Sequence, residues 1–344
     1  KALSWGWKES VRVILARFRT PQRCLLIGSL PFYEKALYKL DNETYCVMSC
    51  GFINNRFDFT YLFDFYKDSG ISSVYKEFEK FKKMCGEEIM ERLLFRKVIK
   101  HYFNKKHIVI EFDEKNKIGF PDAYVRDGHD IYIFEFKDAL MSSKASTSYD
   151  FEDIKKDIDL KYIENKNGKS KGVSQIINNL KKIDSGCFGD DVYFDKTTFL
   201  KKAKVYPVLI YTHSLYTAPG INSYLNKRFD KKLKDEFVDG TLFKVFPLVM
   251  ISLNCLVENQ QFLTKGPMCL KEIIIDYTKK IAARVKKIDG NSSSEQSRSD
   301  LINSQITAHL ALEDEYKHIF DNWLRKNITS KSSMDLFENM ASVK

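Results

Sequence analysis

The stretch Ile118 to Ala139 reads IGFPDAYVRDGHDIYIFEFKDA, and its pattern predicts a β-hairpin. Its second half, Ile131 to Lys137, alternates aromatic and non-aromatic residues, which is the two-residue period of a β-strand. Glu135 and Lys137 therefore project from one face of this strand. The other face carries the aromatic side chains Tyr132, Phe134 and Phe136.

A tight turn precedes this strand. Residues Arg126 to His129 contain the Asp-Gly pair that is typical of a reversal between two antiparallel strands. Phe120 to Val125 supplies the earlier strand of the hairpin. Folding of the hairpin is expected to bring Asp122 beside Glu135.

The residue types at this end of the hairpin favour one chemistry. Two carboxylates on rigid strands repel each other unless a hard divalent cation lies between them, and Mg²⁺ takes one or two carboxylates together with water and phosphate oxygens. Such a metal polarises a phosphate and lowers the pKa of a bound water. Lys137 could orient that water or stabilise the charge that builds on the phosphorus centre. Asp122, Glu135 and Lys137 thus predict metal-dependent hydrolysis of a phosphodiester.

The motif Pro121-Asp122 followed by Glu135-Phe136-Lys137 resembles that of the PD-(D/E)xK nuclease superfamily. The resemblance implies an α/β fold, namely a restriction-endonuclease-like core with a mixed central β-sheet flanked by helices, here with helical or α+β additions at both ends. It also implies Mg²⁺ as cofactor, with Mn²⁺ able to substitute. The alternative is an ordinary hairpin at a sheet edge that ends in solvated charges.

The segment before the hairpin fits the order of that core, which runs helix, three strands, helix, strand. Gly86 to Phe103 has apolar residues at helical spacing, and Ile108 to Phe112 predicts the first strand. The resemblance implies an acidic metal ligand on the first helix. Glu91 matches that position best and Glu88 is the second choice. The alternative for either is a solvated carboxylate near a helix start.

After the hairpin, residues 141–172 are polar and rich in Lys, and they show no apolar period that demands burial. We expect a mobile insertion or lid there. The following helix, from Lys171 to Leu180, turns Val173, Ile176, Ile177 and Leu180 towards the core. The resemblance implies that Gln175 borders the active site, and the alternative is a surface glutamine.

Two apolar runs predict further strands of the sheet. Val205 to Tyr211 suits a strand that is covered on both faces, although Pro207 favours an edge or a bulge. Val245 to Leu253 would extend the same sheet.

Breaks in composition predict the organisation of the chain. We expect an N-terminal accessory region at 1–83, a nuclease core at 84–289, a linker or loop at 290–300 and a C-terminal helical segment at 301–344. The aromatic run from Phe57 to Tyr66 is expected to pack rather than to stack on bases, because its aspartates would repel phosphate. The last segment is expected to dock on the body through Leu310, Tyr316, Ile319, Phe320 and Trp323.

The formal net charge of +10 suits a polyanionic partner. The resemblance implies DNA, and RNA remains open. The local basic residues that best suit such a partner, unless they are simply a solvated face, are Lys155, Lys156, Lys161, Lys166, Lys169, Lys171, Lys181 and Lys182.

Seven cysteines, an odd and scattered set, favour a reducing compartment, so we expect a cytoplasmic protein. Cys46 and Cys50 could begin a zinc site with Cys24 or Cys85, but buried thiols are favoured because no second close pair completes it. No Cys has a nucleophile signature to pair with a histidine such as His213. His129, in the hairpin turn, is expected to be exposed.

No apolar stretch is long enough for a membrane span, and no secretory segment is evident at the N-terminus. The first residue, Lys1 rather than Met, is compatible with a trimmed chain or with part of a longer polypeptide.

Two functions follow from these patterns. The first is an endonuclease that acts on DNA, with Asp122, Glu135 and Glu91 as metal ligands, Lys137 at the attacking water and Gln175 at the border of the site. Its setting would be restriction or anti-phage defence. The second is a catalytically inactive nucleic-acid-binding or scaffolding module of the same fold. A homodimer or an activating partner domain is compatible with the first.

Overall fold

The structure is a computed structural model that describes residues 37–39, 45–47, 61–113, 119–148, 150–188, 191–192, 196–290 and 298–327. Contacts divide the chain into two units. One comprises Lys1–Phe81 with Thr147–Tyr149, and the other comprises Lys82–Ser146 with Asp150–Lys344. Cys24 and Cys50 of the possible zinc set lie outside the described residues, as does the beginning of the aromatic run at 57–60.

The first unit pairs two short strands, β1 (Leu37–Lys39) and β2 (Tyr45–Val47), in antiparallel fashion. It also contains helix α1 (Tyr61–Asp68). Tyr66 of α1 is buried, and its ring lies 5.5 Å from that of Phe78 and 5.6 Å from that of Phe81. At Tyr66 the aromatic run therefore packs, as predicted.

The remaining elements follow in chain order. The strands are β3 (Val109–Phe112), β4 (Ala123–Asp127), β5 (Asp130–Lys137), β6 (Cys187–Phe188), β7 (Asp191–Val192), β8 (Lys204–Tyr211), β9 (Lys244–Val245) and β10 (Val249–Ser252). The helices are α2 (Phe78–Met84), a π-helix (Cys85–Phe95), α3 (Arg96–Tyr102), α4 (Ser143–Thr147), α5 (Phe151–Tyr162), α6 (Gly172–Asp184), α7 (Lys196–Lys202), α8 (Ile221–Glu236), α9 (Leu253–Glu258), α10 (Gln260–Lys265), α11 (Leu270–Gly290), α12 (Arg298–Ala308) and α13 (Leu312–Asn327). Short 3₁₀ turns span Ile71–Ser73 and Ser214–Thr217.

The second unit is built on a mixed sheet of six strands in the order β10-β8-β5-β4-β3, with β9 also paired to β8. The strands β3, β4 and β5 are antiparallel neighbours. The strands β5, β8, β9 and β10 pair in parallel. The protein is thus an α/β protein whose mixed central sheet is flanked by helices, and β5 lies in the middle of it.

The two faces of β5 enter different cores, because strand side chains alternate. The aromatic residues Tyr132, Phe134 and Phe136 pack with side chains from α3, α9, α10, α11 and α13. Ile131 and Ile133 pack on the opposite face with side chains from α5, α6 and α8. Glu135 and Lys137 continue this second face, so the predicted division of β5 is confirmed.

The hairpin turn lies slightly later than predicted. Asp127 pairs with Asp130, and the loop consists of Gly128 and His129. Gly128 has φ of 61°, which a residue without a side chain adopts at little cost. Phe120 and Asp122 precede β4, so the prediction that the earlier strand begins at Phe120 is wrong. His129 is exposed, as expected.

Pro207 does not put β8 at the edge of the sheet. The carbonyl of Val205 accepts a hydrogen bond from the Phe246 N–H. Residues two positions apart in a strand direct their backbone N–H and C=O groups to the same side. The nitrogen of Pro207 therefore faces the same side as the carbonyl of Val205, towards the segment that contains Phe246. There the neighbouring strand is interrupted, between Val245 and Val249. The missing N–H therefore falls in a gap of the ladder, which explains why a proline is tolerated in an interior strand.

The expectation of a mobile insertion or lid at residues 141–172 is wrong for much of that segment. It contains α5, whose Ile158 and Tyr162 are buried in the core beneath β5. Apolar residues four positions apart form a narrow stripe that the many lysines obscure in the sequence. Helix α6, in contrast, buries the four apolar residues that were predicted to face the core.

The C-terminal segment forms two helices rather than one, because the helix breaks at His309 to Ala311. Tyr316 and Phe320 of α13 are buried and Trp323 packs beside them, so the predicted docking is confirmed, although Ile319 is exposed. The predicted linker at 290–300 is helical at both ends, in α11 and α12, and residues 291–297 lie outside the described part. Within the described residues, no helix is long and apolar enough to cross a bilayer.

Candidate active site

Asp122 lies just before β4, at the end of the sheet where β5 finishes. Extending the β4–β5 register by one residue places it opposite Glu135. Its Oδ2 accepts a hydrogen bond of 2.6 Å from the backbone N–H of Phe136. The carboxylate thus continues the hydrogen bonding of β5 past the point where β4 begins, and this fixes its position.

Glu135 is the deepest charged side chain of the site, with no exposed surface. Its Oε1 accepts a hydrogen bond of 3.3 Å from Nδ2 of Asn179 on α6. Asn179 is itself only 1% exposed, and its Oδ1 is buried without a hydrogen-bond partner. The burial of Glu135 contradicts the alternative of a solvated hairpin at a sheet edge.

Lys137 joins the two carboxylates. Its Nζ lies 3.2 Å from Glu135 Oε2 and 3.7 Å from Asp122 Oδ2, and it also donates to the carbonyl of Phe136 over 3.0 Å. Burial opposes the charged form of Lys137. The attraction of Asp122, Glu135 and Glu91 outweighs burial and raises the pKa of Lys137 above its ordinary value. Lys137 therefore stays charged.

One ammonium does not balance the carboxylates around it. Burial, followed by repulsion from Asp122, raises the pKa of Glu135 well above its usual range despite the nearby Lys137. The same two causes raise the pKa of Glu91 to about 7. Glu135 and Glu91 resist ionisation because they are buried and because Asp122 lies nearby. A further positive charge at this site would therefore be favourable.

Of the two predicted helix acids, Glu91 lies within electrostatic reach of Asp122 and Lys137. Glu88 instead forms an exposed ion pair of 2.8 Å with Arg92. Glu91 belongs to the π-helix, where the Arg96 N–H donates to the carbonyl of Glu91 five residues earlier. Such winding is rare and occurs often at functional sites. The predicted helix is thus present, but its first half does not have α-helical spacing.

Gln175 lies on α6, four residues before Asn179 and hence on the same side of the helix. Its Oε1 is buried and has no hydrogen-bond partner. Because Asn179 contacts Glu135, Gln175 lies one turn from a residue of the site. The structure gives no direct contact between Gln175 and the two carboxylates.

The donor set fits a hard divalent cation held by two carboxylates. Asp122 and Glu135 offer oxygen ligands, which Mg²⁺ and Mn²⁺ prefer, and Mg²⁺ needs only one or two carboxylates because water and phosphate complete its shell. Among the described residues, no three His, Cys, Asp or Glu side chains are grouped as a metal ion would need. The structure therefore does not place Glu91 in a three-carboxylate set, and its predicted role as a ligand remains a prediction.

A second polar cluster adjoins the site at Asp138, the residue after Lys137. Asp138 forms an ion pair with Lys82 and accepts a hydrogen bond of 2.5 Å from Thr212 Oγ1. A Cβ atom at Gly86 would lie 2.6 Å from Asp138 Oδ2, so a larger residue at the start of the π-helix would displace the Asp138 carboxylate. This cluster ties α2, which leads directly into the π-helix that carries Glu91, to the ends of β5 and β8.

His213 lies next to this cluster and is 5% exposed. Burial, then repulsion from Lys161 and Lys82, lowers the pKa of His213 to about 4, although Asp138 and Asp157 oppose the shift. Its Nδ1 accepts from the Leu215 N–H at the start of a 3₁₀ turn. His213 is therefore neutral in the folded protein above about pH 4.

This arrangement predicts acid sensitivity. Because the folded pKa of His213 lies below the unfolded value, the unfolded chain binds the extra proton first, and stability falls as pH drops from about 6.5 towards 4. His213→Asn keeps a cap acceptor without titrating, so it should be more stable than wild type at low pH by on the order of 2 kcal/mol, and the gain should vanish near neutral pH. Urea unfolding of both proteins across this range measures the difference; parallel curves would contradict the assignment.

The basic residues proposed for nucleic acid divide into two groups. Lys155, Lys161 and Lys181 form ion pairs with Glu152, Asp157 and Glu236, and Lys182 donates to the carbonyl of Gly119. Those four already have partners within the fold. Within the described residues, no ion pair involves Lys156, Lys166, Lys169 or Lys171.

Sequence reasoning missed Asn179. It lies four residues after Gln175 on α6, so the two amides share one side of that helix. A second amide one turn after Gln175 was the available indication.

Cys85 and Cys255 are buried free thiols, and Cys269 is exposed and free.

Comparisons of this chain with protein-family models, with curated proteins and with solved structures find no match in any of the three.

Proposed function

We propose that this chain is a metal-dependent endonuclease that hydrolyses phosphodiester bonds in DNA. The observation that carries the proposal is the convergence of Asp122, Glu135 and Lys137 at one end of the central sheet, with Nζ 3.7 Å and 3.2 Å from the two carboxylates. Burying a carboxylate completely, as at Glu135, is costly, and a functional role would account for it.

The order of elements supports a restriction-endonuclease-like core. Helix α3 is followed by the antiparallel strands β3, β4 and β5, then by helices α4, α5 and α6, the short elements β6, β7 and α7, and then by β8, which is parallel to β5. Apart from these extra elements, this is the order helix, three strands, helix, strand that the resemblance implies. It places Glu135 and Lys137 at the end of the central strand.

Each residue has a distinct role in this proposal. Asp122 and Glu135 would hold the divalent cation, which when bound supplies Lewis acidity and an acidified water. Asn179 fixes the orientation of the Glu135 carboxylate. Lys137, held charged by its neighbours, orients the attacking water and stabilises the negative charge that builds on the phosphate oxygens. Gln175 lines the side of the site towards α6.

The net charge of +10 suits DNA as partner, and a defence or restriction setting remains part of the proposal. The alternative is an inactive binding module. A buried triad that retains both carboxylates and the lysine favours activity, because turnover needs them and binding of nucleic acid does not.

The test is incubation of the purified protein with supercoiled plasmid DNA, and separately with single-stranded RNA, in Mg²⁺, Mn²⁺ or EDTA. We expect nicked or linear plasmid with either metal and intact plasmid in EDTA. Plasmid that is bound but never cut under any of these conditions would favour the inactive module, and cutting of RNA alone would correct the substrate.

A further inference from the structure

Two cations of helix α3 lie over one aromatic ring of β3, the last strand in the sheet order. The guanidinium carbon of Arg96 is 5.2 Å from the centroid of the Phe112 ring, and Nζ of Lys100 is 5.4 Å from it. Arg96 and Lys100 are four residues apart, so they project from the same side of the helix. The face of an aromatic ring attracts cations, and Phe112 therefore helps to hold both side chains in place.

The register of the sheet places this ring beside the candidate active site. Phe112 is opposite Ala123, which directly follows Asp122 in the sequence. Continuing this register by one residue places Asp113 beside Asp122, at about the 5 Å that separates neighbouring strands. Nη2 of Arg96 donates a hydrogen bond of 2.7 Å to the carbonyl of Asp113. A direct contact thus holds the guanidinium on the chain segment next to a carboxylate of the site.

The fold does not neutralise either cation. Within the ranges that the structure describes, no ion pair involves Arg96 or Lys100. Nε of Arg96 is buried and has no hydrogen-bond partner, and Lys100 is exposed. A guanidinium and an ammonium carry only hydrogen-bond donors, so the ligand that suits them is a negatively charged acceptor. Like charges four residues apart on a helix repel each other, and a bound anion would offset that repulsion.

We infer that Arg96 and Lys100 bind a backbone phosphate of the DNA strand that enters the site at Asp122 and Glu135. This inference rests on the proposed function for the identity of the polyanion. The planar guanidinium of Arg96 matches the oxygens of a phosphate, and Lys100 adds a mobile charge beside it. Both residues would position the strand without reading its sequence, because contacts to phosphate carry no information about the bases.

The test measures DNA binding by Arg96→Gln and Lys100→Gln, with Lys202→Gln as control. Lys202 lies two residues before β8 begins, at the opposite end of the sheet from the site, so it controls for loss of one positive charge. Anisotropy of a short fluorescent duplex is recorded in Mg²⁺ over a series of KCl concentrations, in the Asp122→Asn background, which blocks the proposed cleavage. We expect Arg96→Gln to weaken binding about tenfold and Lys100→Gln about threefold, each reducing the salt slope by about one, and Lys202→Gln to change neither.

Two further measurements separate phosphate binding from a structural role of Arg96 in joining α3 to the end of β3. Arg96→Lys keeps the charge, so it should keep the salt slope of its parent even where binding is weaker. Lys100 is exposed, so Lys100→Gln should unfold at the same temperature as its parent and tests the contact without a folding defect. The losses should be equal for duplexes of unrelated sequence, as expected for contacts to phosphate.

Equal affinities and equal salt slopes for Arg96→Gln, Lys100→Gln and Lys202→Gln, or no DNA binding by the Asp122→Asn protein, would overturn this inference. In the otherwise native chain, Lys100→Gln should raise KM for cleavage and leave kcat nearly unchanged. Selective loss of binding in a protein that never cleaves DNA would keep the phosphate contact and reject the nuclease. Cleavage by a protein whose binding none of the variants changes would keep the nuclease and reject the contact.

Discussion

Lys137→Ala should lower the single-turnover rate of plasmid cleavage by about 10²- to 10³-fold, which is the usual effect of removing one preorganised group that stabilises transition-state charge. The reason is the position of Nζ, which contacts both carboxylates and is held charged by them. Nicking of supercoiled plasmid in Mg²⁺, measured with enzyme in excess, gives the rate.

Removing Lys137 also leaves Asp122 and Glu135 without their cation, so a loss of activity needs a folding control. Near-ultraviolet circular dichroism should match wild type when Mg²⁺ is present. Lys202→Ala, at the far end of β8, serves as the matched lysine variant and should cleave at the native rate. A Lys137→Ala protein that cleaves within a few-fold of wild type would remove Lys137 from the mechanism.

Glu135→Gln should abolish cleavage and yet stabilise the metal-free protein, by roughly 1–3 kcal/mol in EDTA at about pH 8. The folded pKa of Glu135 lies above its unfolded value. As pH rises, the unfolded chain therefore releases this proton first, and native stability falls. Gln has the same shape but no charge, and its amide oxygen can still accept from Asn179.

Urea unfolding in EDTA at about pH 5 and about pH 8 should show that the gain from Glu135→Gln increases with pH. Saturating Mg²⁺ should stabilise wild type, because it binds only the folded site, and should stabilise Glu135→Gln much less. A variant that is less stable than wild type at the higher pH would mean that Lys137 fully compensates the buried carboxylate.

The hairpin could be predicted from the sequence because its information is local. Strict alternation from Ile131 to Lys137 assigns each side chain to a face, and the Asp-Gly pair marks the turn. The start of β4 could not be located, because Pro121 and Asp122 lie beside the strand and Asp122 bonds to β5 through its side chain. Strand preferences of individual residues carry no information about a hydrogen bond between a side chain and a neighbouring strand.

Helix α5 was missed because only Ile154, Ile158 and Tyr162 form the apolar stripe that packs on the core, among many charged residues. The π-helix was missed because apolar residues in a sequence are compared with α-helical spacing. A π-helix has more residues per turn, so each later residue points in a different direction from the one that this spacing predicts. Asn179 was not recognised as a neighbour of the site, since its contact with Glu135 depends on how α6 lies against the end of β5.

The most direct measurement is the rate of plasmid cleavage as a function of Mg²⁺ concentration for wild type and Asp122→Asn. Asn keeps an oxygen that can accept from the Phe136 N–H, so the substitution removes charge and leaves the hydrogen bond. We predict no cleavage in EDTA, a saturating rise with Mg²⁺ for wild type, and a rate at least about 10²-fold lower for the variant at every concentration. Equal rates for the two proteins, or cleavage that persists in EDTA, would contradict a metal-dependent site at Asp122 and Glu135.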